Sequence, residues 1–321
     1  QVRCGYTGAP VYRCAVRGST AMSPLPVVVP VGPGSREEAR VADLLASLHH
    51  HEPDAGPVLL VDDAPQQRRV WPESQPGLAV EVLPNPRNGR GVGTFGGVCA
   101  ATLLGLRWAR SRAPGEPVLR LDTDALVIGA FARTVHAAVA GDPKAGVLGA
   151  CRRTPNGQLR DVRSWAAMVR RHARPVWLWR AAPHVHRALD GRNAAVRREV
   201  RAGLRGRGYT PGTHCMAAAC VVTPRMVAAM AGSGMFDDPL RWIDARIGDD
   251  VMLGLQAAAL GFELRGMVAD GEPFGLRHIG LADTPQRLVD RGFAFVHSLK
   301  NDPEHDEDAL RAFFAARREA R

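Results

Sequence analysis

Short apolar runs alternate with amphipathic segments through the first half of the chain. Residues 24–32, 56–65 and 76–85 are rich in Val and Leu and end in polar or turn-forming residues, which predicts a buried strand at 24–32 and two further apolar strands. Residues 35–50 instead carry apolar side chains at helical spacing, and Ser35 is predicted to be the N-cap of that helix. The pattern therefore predicts strands that are separated by helices.

A glycine-rich loop at 91–97 leads into an apolar helix, and the run Val118–Leu121 predicts another buried strand. A helix over about 129–140 follows. The succession of strand, helix, strand, strand, helix and strand with short links indicates an α/β fold with a mainly parallel sheet flanked by helices. In such sheets, ligands bind beyond the carboxyl ends of the strands.

The second half of the chain mixes helical and strand patterns. It is predicted to contain helices at 161–173 and 193–204, a strand at 214–224, a helix at 249–260, strands at 262–267 and 293–296, and a C-terminal helix within 301–321. Asn193 is a good N-cap for the second of these helices, and Gly261 is the expected stop signal for the helix that begins at Asp249.

The strand Val118–Leu121 runs directly into two aspartates, Asp122 and Asp124. A single Asp at a strand end is commonly a turn former. Two carboxylates on one short loop also suit a divalent cation, because Mg²⁺ and Mn²⁺ prefer hard oxygen ligands. Two earlier strands end in Asp62–Asp63 and Asn85, and such a gathering at one sheet edge favours a binding site over unrelated turns.

The composition is that of a globular protein, with 45% apolar and 23% charged residues among 321. No apolar run approaches the roughly 20 residues that span a bilayer. The first residues have no sustained apolar core, so a secretory signal is not expected. The six cysteines form no Cys-x-x-Cys pair. We therefore expect a cytoplasmic protein with reduced thiols.

The net charge of +10 is unevenly distributed. Residues 152–208 contain fifteen Arg and three acidic residues, which gives this segment +12 and leaves −2 for the remainder of the chain. Two interpretations stay open for this Arg-rich segment. It forms solvated helices whose Arg content reflects coding bias, or it forms a surface that faces an anion.

Taken in order, the motifs of this chain resemble those of GT-A fold glycosyltransferases of the family 2 type. The similarity covers about residues 24–150 and 214–268. It rests on VVVPVG followed by LLVDDAP, on NGRGVGTFGGVCAATLLGLRWAR, on LRLDTDALV and on IGDDVMLGLQAAALGFEL. The resemblance implies a GT-A, Rossmann-like nucleotide-binding sheet. It also implies a metal-dependent transferase of the hexosyltransferase type, which moves a sugar from a nucleotide sugar such as a UDP-sugar to an acceptor hydroxyl.

The resemblance also assigns donor and metal residues. Asp124 would hold Mn²⁺ or Mg²⁺, and Asp122 would reach the ribose or a metal-bound water. His297 is preferred over His278 as a further metal ligand, because it follows an apolar strand and precedes Lys300, which could meet a diphosphate. The expected donor-binding residues are Pro30, Asp63, Asn88, Gly91, Asp122, Asp124 and Lys300, with Gly93 beside Gly91 in the mobile loop.

A transfer that inverts the anomeric centre needs a carboxylate base for the acceptor hydroxyl. The resemblance assigns this role to the second acid of the pair Asp249–Asp250, with Asp249 as the alternative. The same acids at a helix N-terminus would also be favoured electrostatically without any catalytic role. Four tryptophans could stack on a sugar, although core packing is the default for each: Trp165, Trp177, Trp179 and Trp242.

The expected organisation follows from the same resemblance. It comprises an N-terminal arm or cloning remnant at 1–23, a nucleotide-sugar-binding half at 24–150, a helical Arg-rich insertion at 151–213, an acceptor and catalytic half at 214–300, and a C-terminal helix at 301–321. An insertion at that place would lie over the acceptor side. The acceptor is therefore predicted to be anionic, such as a phosphorylated or carboxylated small molecule or a lipid-linked phosphate.

Two other functions are compatible with parts of the sequence. A sugar-nucleotide nucleotidyltransferase shares the layout, but VGPGSREEAR after the first strand is too acidic to cradle a triphosphate. A basic nucleic-acid-binding protein would use the Arg-rich segment, because phosphate neutralisation drives such binding. It would leave the acidic loops unexplained, so no stable nucleic-acid partner is expected.

Overall fold

The computed structural model describes residues 24–64, 71, 78–91, 94–174 and 191–320. The predictions for the 1–23 arm, Gly93, Trp177 and Trp179 lie outside these residues, as do Cys4 and Cys14.

The described chain forms ten strands and nine α-helices. The strands are β1 (Val27–Val31), β2 (Val58–Asp62), β3 (Val80–Pro84), β4 (Val118–Leu121), β5 (Leu126–Val127), β6 (Ala145–Gly149), β7 (Ala219–Val222), β8 (Glu263–Gly266), β9 (Phe274–Leu276) and β10 (Phe295–His297). The helices are α1 (Glu37–His51), α2 (Gly96–Arg112), α3 (Ala132–Gly141), α4 (Arg163–Ala173), α5 (Gly191–Leu204), α6 (Pro224–Gly232), α7 (Asp249–Ala259), α8 (Pro285–Asp290) and α9 (Glu307–Glu319).

Seven strands form a central sheet in the order β3-β2-β1-β4-β7-β6-β8. Strand β7 runs antiparallel to both of its neighbours, and the other adjacent pairs are parallel. A smaller sheet joins β5, β10 and β9. The predicted α/β fold with a mainly parallel sheet is confirmed. Strands β1, β2 and β4 are neighbours, so their carboxyl ends meet at one edge.

Two capping predictions were wrong. Helix α1 begins at Glu37 with Arg36 in the N-cap position and no side-chain cap, so Ser35 lies outside it. Helix α5 begins at Gly191, which places Asn193 within the helix. Both errors have one physical cause: a side chain that can cap does so only where the packed backbone leaves the helix at that residue.

Three of the described strands were not predicted from the sequence: β5, β6 and β9. Strands β5 and β9 are two and three residues long, which is too short for a periodicity to appear. Strand β6 has the sequence AGVLG, and glycine weakens any strand signal. The predicted strand at 214–224 is confined to Ala219–Val222, where it pairs with both β4 and β6.

Close backbone packing places α2 on the sheet. A Cβ atom at Gly105 would lie 2.1 Å from Cγ1 of Val28, so only glycine allows α2 to lie directly on β1. On the Arg-rich side, α5 lies against α7. A Cβ atom at Gly203 would lie 2.6 Å from the carbonyl oxygen of Leu255. Helix α7 thus packs closely against helix α5 of the Arg-rich segment.

The cysteines differ from the prediction. Cys151 and Cys215 form a disulfide across 64 residues, which corrects the expectation of reduced thiols for this pair. The bond links the two ends of the segment that contains α4 and α5. Cys99 and Cys220 are free and buried. Within the described residues, no helix is both long enough and apolar enough to cross a bilayer.

Candidate active site

A cleft of about 200 Å³ opens at the carboxyl ends of β1, β2 and β4. Five predicted donor-binding residues are among those that line it, together with Asn85 from the end of β3. The six are Pro30, Asp63, Asn85, Asp122, Asp124 and Lys300. The strand order explains this convergence, because parallel neighbours bring their C-terminal loops to the same edge.

Three ligand-type side chains meet beside this cleft, and two of them, Asp122 and Asp124, line it. Atoms of Asp122, Asp124 and His297 lie within 4.8 Å of one another, so the group could hold a metal ion. Two carboxylates and one imidazole nitrogen suit a divalent cation that accepts both oxygen and nitrogen ligands. The donor set therefore fits the cation that the sequence motif implied.

Asp124 is the most constrained member of this group. Its Oδ2 atom accepts a hydrogen bond from Ser298 Oγ at 2.8 Å and lies 3.1 Å from Lys300 Nζ and 3.3 Å from His297 Nε2. Burial alone would raise the pKa of the Asp124 carboxyl, but His297, Lys300 and Ser298 outweigh burial and hold the pKa well below its ordinary value. Asp124 is consequently a permanent anion at neutral pH.

The orientation of His297 is fixed from behind. Its Nδ1 atom lies 2.8 Å from the carbonyl oxygen of Arg277, so Nδ1 carries a proton and donates it there. This leaves Nε2 directed at Asp124, an arrangement that metal-binding histidines commonly show. His278 is exposed and is not a member of the ligand group found among the described residues.

A buried arginine joins the two acidic motifs. The side chain of Arg120 on β4 is 1% exposed, with Nη1 2.6 Å from Asp122 Oδ1 and Nη2 2.8 Å from Asp249 Oδ2. Burial alone would lower the pKa of the Arg120 guanidinium, but Asp122 and Asp249 outweigh it and hold the pKa above its ordinary value. Sequence reasoning missed Arg120. Its signal was a charged residue inside the apolar strand VLRL.

The adjacent acids at the start of α7 have different surroundings. Asp249 is buried, and it accepts a hydrogen bond from Thr102 Oγ1 at 2.7 Å in addition to its ion pair with Arg120. Burial raises the pKa of Asp249 to about 6. The Asp250 side chain is 22% exposed against 7% for Asp249. Asp250 is therefore the acid that solvent, or a substrate, can reach.

Asp250 faces a buried histidine. Its Oδ2 atom lies 3.2 Å from His214 Nε2, while its Oδ1 atom accepts a hydrogen bond from the Val251 backbone at 2.7 Å. Burial raises the pKa of Asp250. Burial, with the nearby charge of Arg160, lowers the pKa of His214 to about 3. The histidine is therefore neutral at physiological pH and carries its proton on Nδ1, which lies 2.7 Å from the carbonyl oxygen of Gly212.

The other predicted donor residues are placed differently. Asp63 lines the cleft but accepts two hydrogen bonds from the guanidinium of Arg87. Asn88 is exposed in a turn with φ of 48°, and neither Asn88 nor Gly91 is among the described residues that line the cleft. Asn85 occupies the cleft wall instead, where its Nδ2 atom donates to the Gly97 carbonyl at 2.9 Å.

The described tryptophans of the second half separate into two kinds. Trp242 is fully buried, and its Nε1–H donates to Glu199 Oε2 at 3.1 Å, so it is a core residue. Trp165 is half-buried and lies edge-on to His214, with ring centroids 5.8 Å apart. Trp165 is thus close to Asp250.

Comparison with known proteins supports the fold. No family model matches the chain, and no curated protein matches it by sequence. Among solved structures, the apo form of the bifunctional glycosyltransferase WbbM matches 93% of this chain at 11% identity with a TM-score of 0.50. The chain spans 50% of the length of WbbM.

Two further solved structures show lower similarity. The galactosyltransferase LgtC in complex with donor and acceptor sugar analogues has a TM-score of 0.43 at 12% identity, with 92% of this chain and 96% of LgtC covered. Mouse xyloside xylosyltransferase 1 in its apo form has a TM-score of 0.41 at 10% identity, with 88% of this chain and 99% of that chain covered. The match to WbbM and the sheet order together show that this chain has a GT-A-like glycosyltransferase fold.

Proposed function

We propose that the protein is a metal-dependent glycosyltransferase that moves a sugar from a nucleotide-sugar donor, with a UDP-sugar as the first candidate, to an acceptor hydroxyl. The observation that carries the proposal is the group Asp122, Asp124 and His297, whose two aspartates line the cleft together with Lys300. A cation held there would lie close to the Lys300 amine, and both would face donor phosphates at the edge of the sheet where ligands of α/β folds bind.

The donor would lie in this cleft. A bound Mg²⁺ or Mn²⁺ would neutralise the charge that develops on the leaving diphosphate. Lys300, whose side chain is 40% exposed, would contact the same phosphates. Asp63 would accept from the base or ribose with the lone pairs that its two hydrogen bonds from Arg87 leave free.

Asp250 would act as the catalytic base of an inverting transfer. Its support is the greater exposure of Asp250 and the engagement of Asp249 by Arg120 and Thr102. A carboxylate whose pKa is raised by burial also holds an abstracted proton better than an ordinary aspartate.

An anionic acceptor would be attracted by the Arg-rich segment. Burial lowers the pKa of His172 on α4, and the charges of Arg171, Arg246 and Arg197 lower it further, which supports a local excess of positive charge there. Arg171 and Arg246 are exposed. A phosphorylated or carboxylated small molecule or a lipid-linked phosphate would complement this charge.

Thermal unfolding with UDP tests the proposal. UDP at a hundred times its dissociation constant should stabilise the protein by about 2.7 kcal/mol in the presence of Mn²⁺. The stabilisation should be lost in EDTA, because without a metal the two carboxylates repel the diphosphate. It should also be lost in Asp124→Asn, because the metal loses one of its proposed ligands and Asp122 still repels the diphosphate. GDP, CDP, ADP and dTDP serve as alternatives for the base. Equal shifts of the melting temperature with Mn²⁺ and with EDTA would contradict the metal role.

A further inference from the structure

An exposed aromatic residue lies near the start of α2. The side chain of Phe95 is 47% exposed, although the residue directly precedes the buried helix α2. Its ring centroid lies 6.0 Å from that of Trp165, at an interplanar angle of 58°. Exposure of so large an apolar side chain costs free energy that core packing does not recover. A ligand that covers the ring would recover it.

The aromatic pair is connected to the proposed base. Trp165 packs edge-on to His214, and Nε2 of His214 lies 3.2 Å from Asp250 Oδ2. From the other side, a Cβ atom built at Gly248 would lie 4.0 Å from Phe95 Cγ and 2.7 Å from Asp250 Oδ1. Two independent contact routes therefore place Phe95 and Trp165 beside the reachable carboxylate.

The same pair adjoins the donor cleft. Phe95 lies two residues before Gly97, which lines the cleft and accepts the Asn85 hydrogen bond. Arg120 ties Asp122 at the cleft to Asp249 next to the base. A molecule on the aromatic pair would thus lie beside Asp250 and near the cleft wall at Gly97, which is where the proposed reaction needs an acceptor.

We propose that Phe95 and Trp165 form the acceptor subsite and that it takes the ring of a carbohydrate. This inference rests on the proposed transferase function. A pyranose ring presents an apolar face of C–H groups to an aromatic surface and hydroxyl groups at its edge, so one ring can cover Phe95 and offer a hydroxyl to Asp250. A purely aliphatic acceptor would use the aromatic surface but would bring no ring of hydroxyls to the carboxylate.

Saturation-transfer NMR with simple glycosides tests the subsite directly. The probes are methyl β-D-glucoside, methyl β-D-galactoside and methyl α-D-mannoside, each added at millimolar concentration to the full chain with UDP and Mn²⁺. We expect transfer from the protein to the C–H face of at least one probe. Phe95→Ala and Trp165→Ala should each reduce that signal about tenfold, whereas Trp165→Phe should retain most of it.

Controls separate the subsite from the general stability of the fold. Phe313→Ala removes a half-buried aromatic ring from α9 and should leave the probe signals unchanged. The UDP–Mn²⁺ melting shift of the subsite variants should equal that of the wild type, because the donor cleft is intact. Octyl phosphate is added as a competing probe for a lipid-type acceptor.

The outcomes are distinct for the two proposals. Three results would each overturn the carbohydrate subsite. In the first, the wild type gives no glycoside signal, and in the second, the wild type and Trp165→Ala give equal glycoside signals. In the third result, Phe95→Ala and Trp165→Ala lose the octyl phosphate signal but keep the glycoside signals. A wild type that shows no metal-dependent UDP shift would overturn the donor proposal, while the glycoside signals still report on Phe95 and Trp165. A glycoside that binds and then stimulates UDP release from a UDP-sugar would support both.

Discussion

The guanidinium of Arg120 binds the carboxylate of Asp249 at 2.8 Å with both side chains buried. Arg120 lies on β4, just before the loop that carries the metal-type aspartates, and Asp249 is the first residue of α7. This ion pair therefore fixes the helix that presents Asp250 relative to the strand that presents Asp122. The buried positive charge of Arg120 therefore links the acidic loop at Asp122 to the start of α7, where the proposed base lies.

Replacement of Arg120 should reveal this coupling. Arg120→Met keeps the length of the side chain but leaves Asp249 buried without its cation, so we expect a loss of about 3–5 kcal/mol in the free energy of unfolding. Arg120→Met combined with Asp249→Asn should recover part of that loss, because no uncompensated charge remains at Asp249. Urea unfolding measures both. A wild-type urea midpoint for the single variant would argue against a structural role for the pair.

The adjacent acids should respond differently to the same substitution. Asp250→Asn should lower the transfer rate about 100-fold or more while the UDP–Mn²⁺ melting shift stays at the wild-type value, because the substitution removes the proposed base and leaves the donor cleft unchanged. Asp249→Asn should change stability more than the chemical step. Turnover and unfolding are measured on both variants. If Asp249→Asn is inactive and Asp250→Asn is active, the base is the other residue; if both are active, a retaining transfer is the better mechanism.

Positive charge near α5 should matter for an anionic acceptor. Arg201 is a poor probe, because its Nε atom donates to the Ala173 carbonyl at 2.8 Å and its loss would also disturb packing. The exposed pair Arg198 and Arg246 is the better choice. Replacing both with Gln should raise the acceptor Michaelis constant, most strongly at low ionic strength, where screening is weakest.

A matched pair controls for net charge in this experiment. Arg133→Gln with Arg225→Gln makes the same charge change at exposed positions on α3 and α6 and should have a smaller effect. An unchanged acceptor constant at low salt for the Arg198 and Arg246 variant, or an acceptor that proves to be neutral, would remove the support for an anionic substrate.

Helix α9 is anchored to α1 by a carboxylate whose effect depends on pH. Glu307 accepts hydrogen bonds from Arg40 Nη2 at 2.7 Å and from Arg311 Nε at 3.0 Å. The hydrogen bond to Arg40 is the largest of the influences that lower the pKa of Glu307 to about 2. The folded chain therefore binds this proton less readily than the unfolded chain. The resulting stability is present above pH 4.5 and is lost as pH falls towards 2.

Glu307→Gln isolates that contribution. At pH 7 the variant should be less stable than the wild type by about 2 kcal/mol. The difference should shrink as pH falls below 4.5. Chemical denaturation at several pH values measures it, with Glu263→Gln at an exposed site on β8 as the control. A stability difference that stays constant down to pH 2 would show that the effect is packing and not charge.

The disulfide between Cys151 and Cys215 should stabilise the fold measurably. A cross-link across 64 residues restricts the unfolded chain by about 4 kcal/mol in the loop-entropy treatment. A phosphine reductant should lower the urea midpoint of the wild type and should leave that of a Cys151→Ser, Cys215→Ser double variant unchanged. A wild-type midpoint that is insensitive to complete reduction would contradict this role.

Local patterns in the sequence were sufficient for the outline of the fold and for part of the site. Apolar runs predicted β1, β2, β3 and β4, and two aspartates after one of these runs predicted the acidic loop that the structure places in the cleft. These features depend on near neighbours in the chain, because alternation, spacing and turn chemistry are set within a few residues. The chain order of the motifs also indicated a glycosyltransferase-type fold.

Only the tertiary structure decided which distant residues share a site. The ion pair of Arg120 with Asp249, the bond between Cys151 and Cys215 and the contact of Trp165 with His214 all join segments that are far apart in sequence. No local pattern encodes such pairs, since each depends on how whole helices pack on the sheet and on the order of its strands. The antiparallel insertion of β7 between β4 and β6 is one such decision, because it brings the start of β7, shortly after His214, to the edge where β4 ends. Burial then sets the chemistry, because the same aspartate is a solvated cap at a surface and a high-pKa acid in a packed interior.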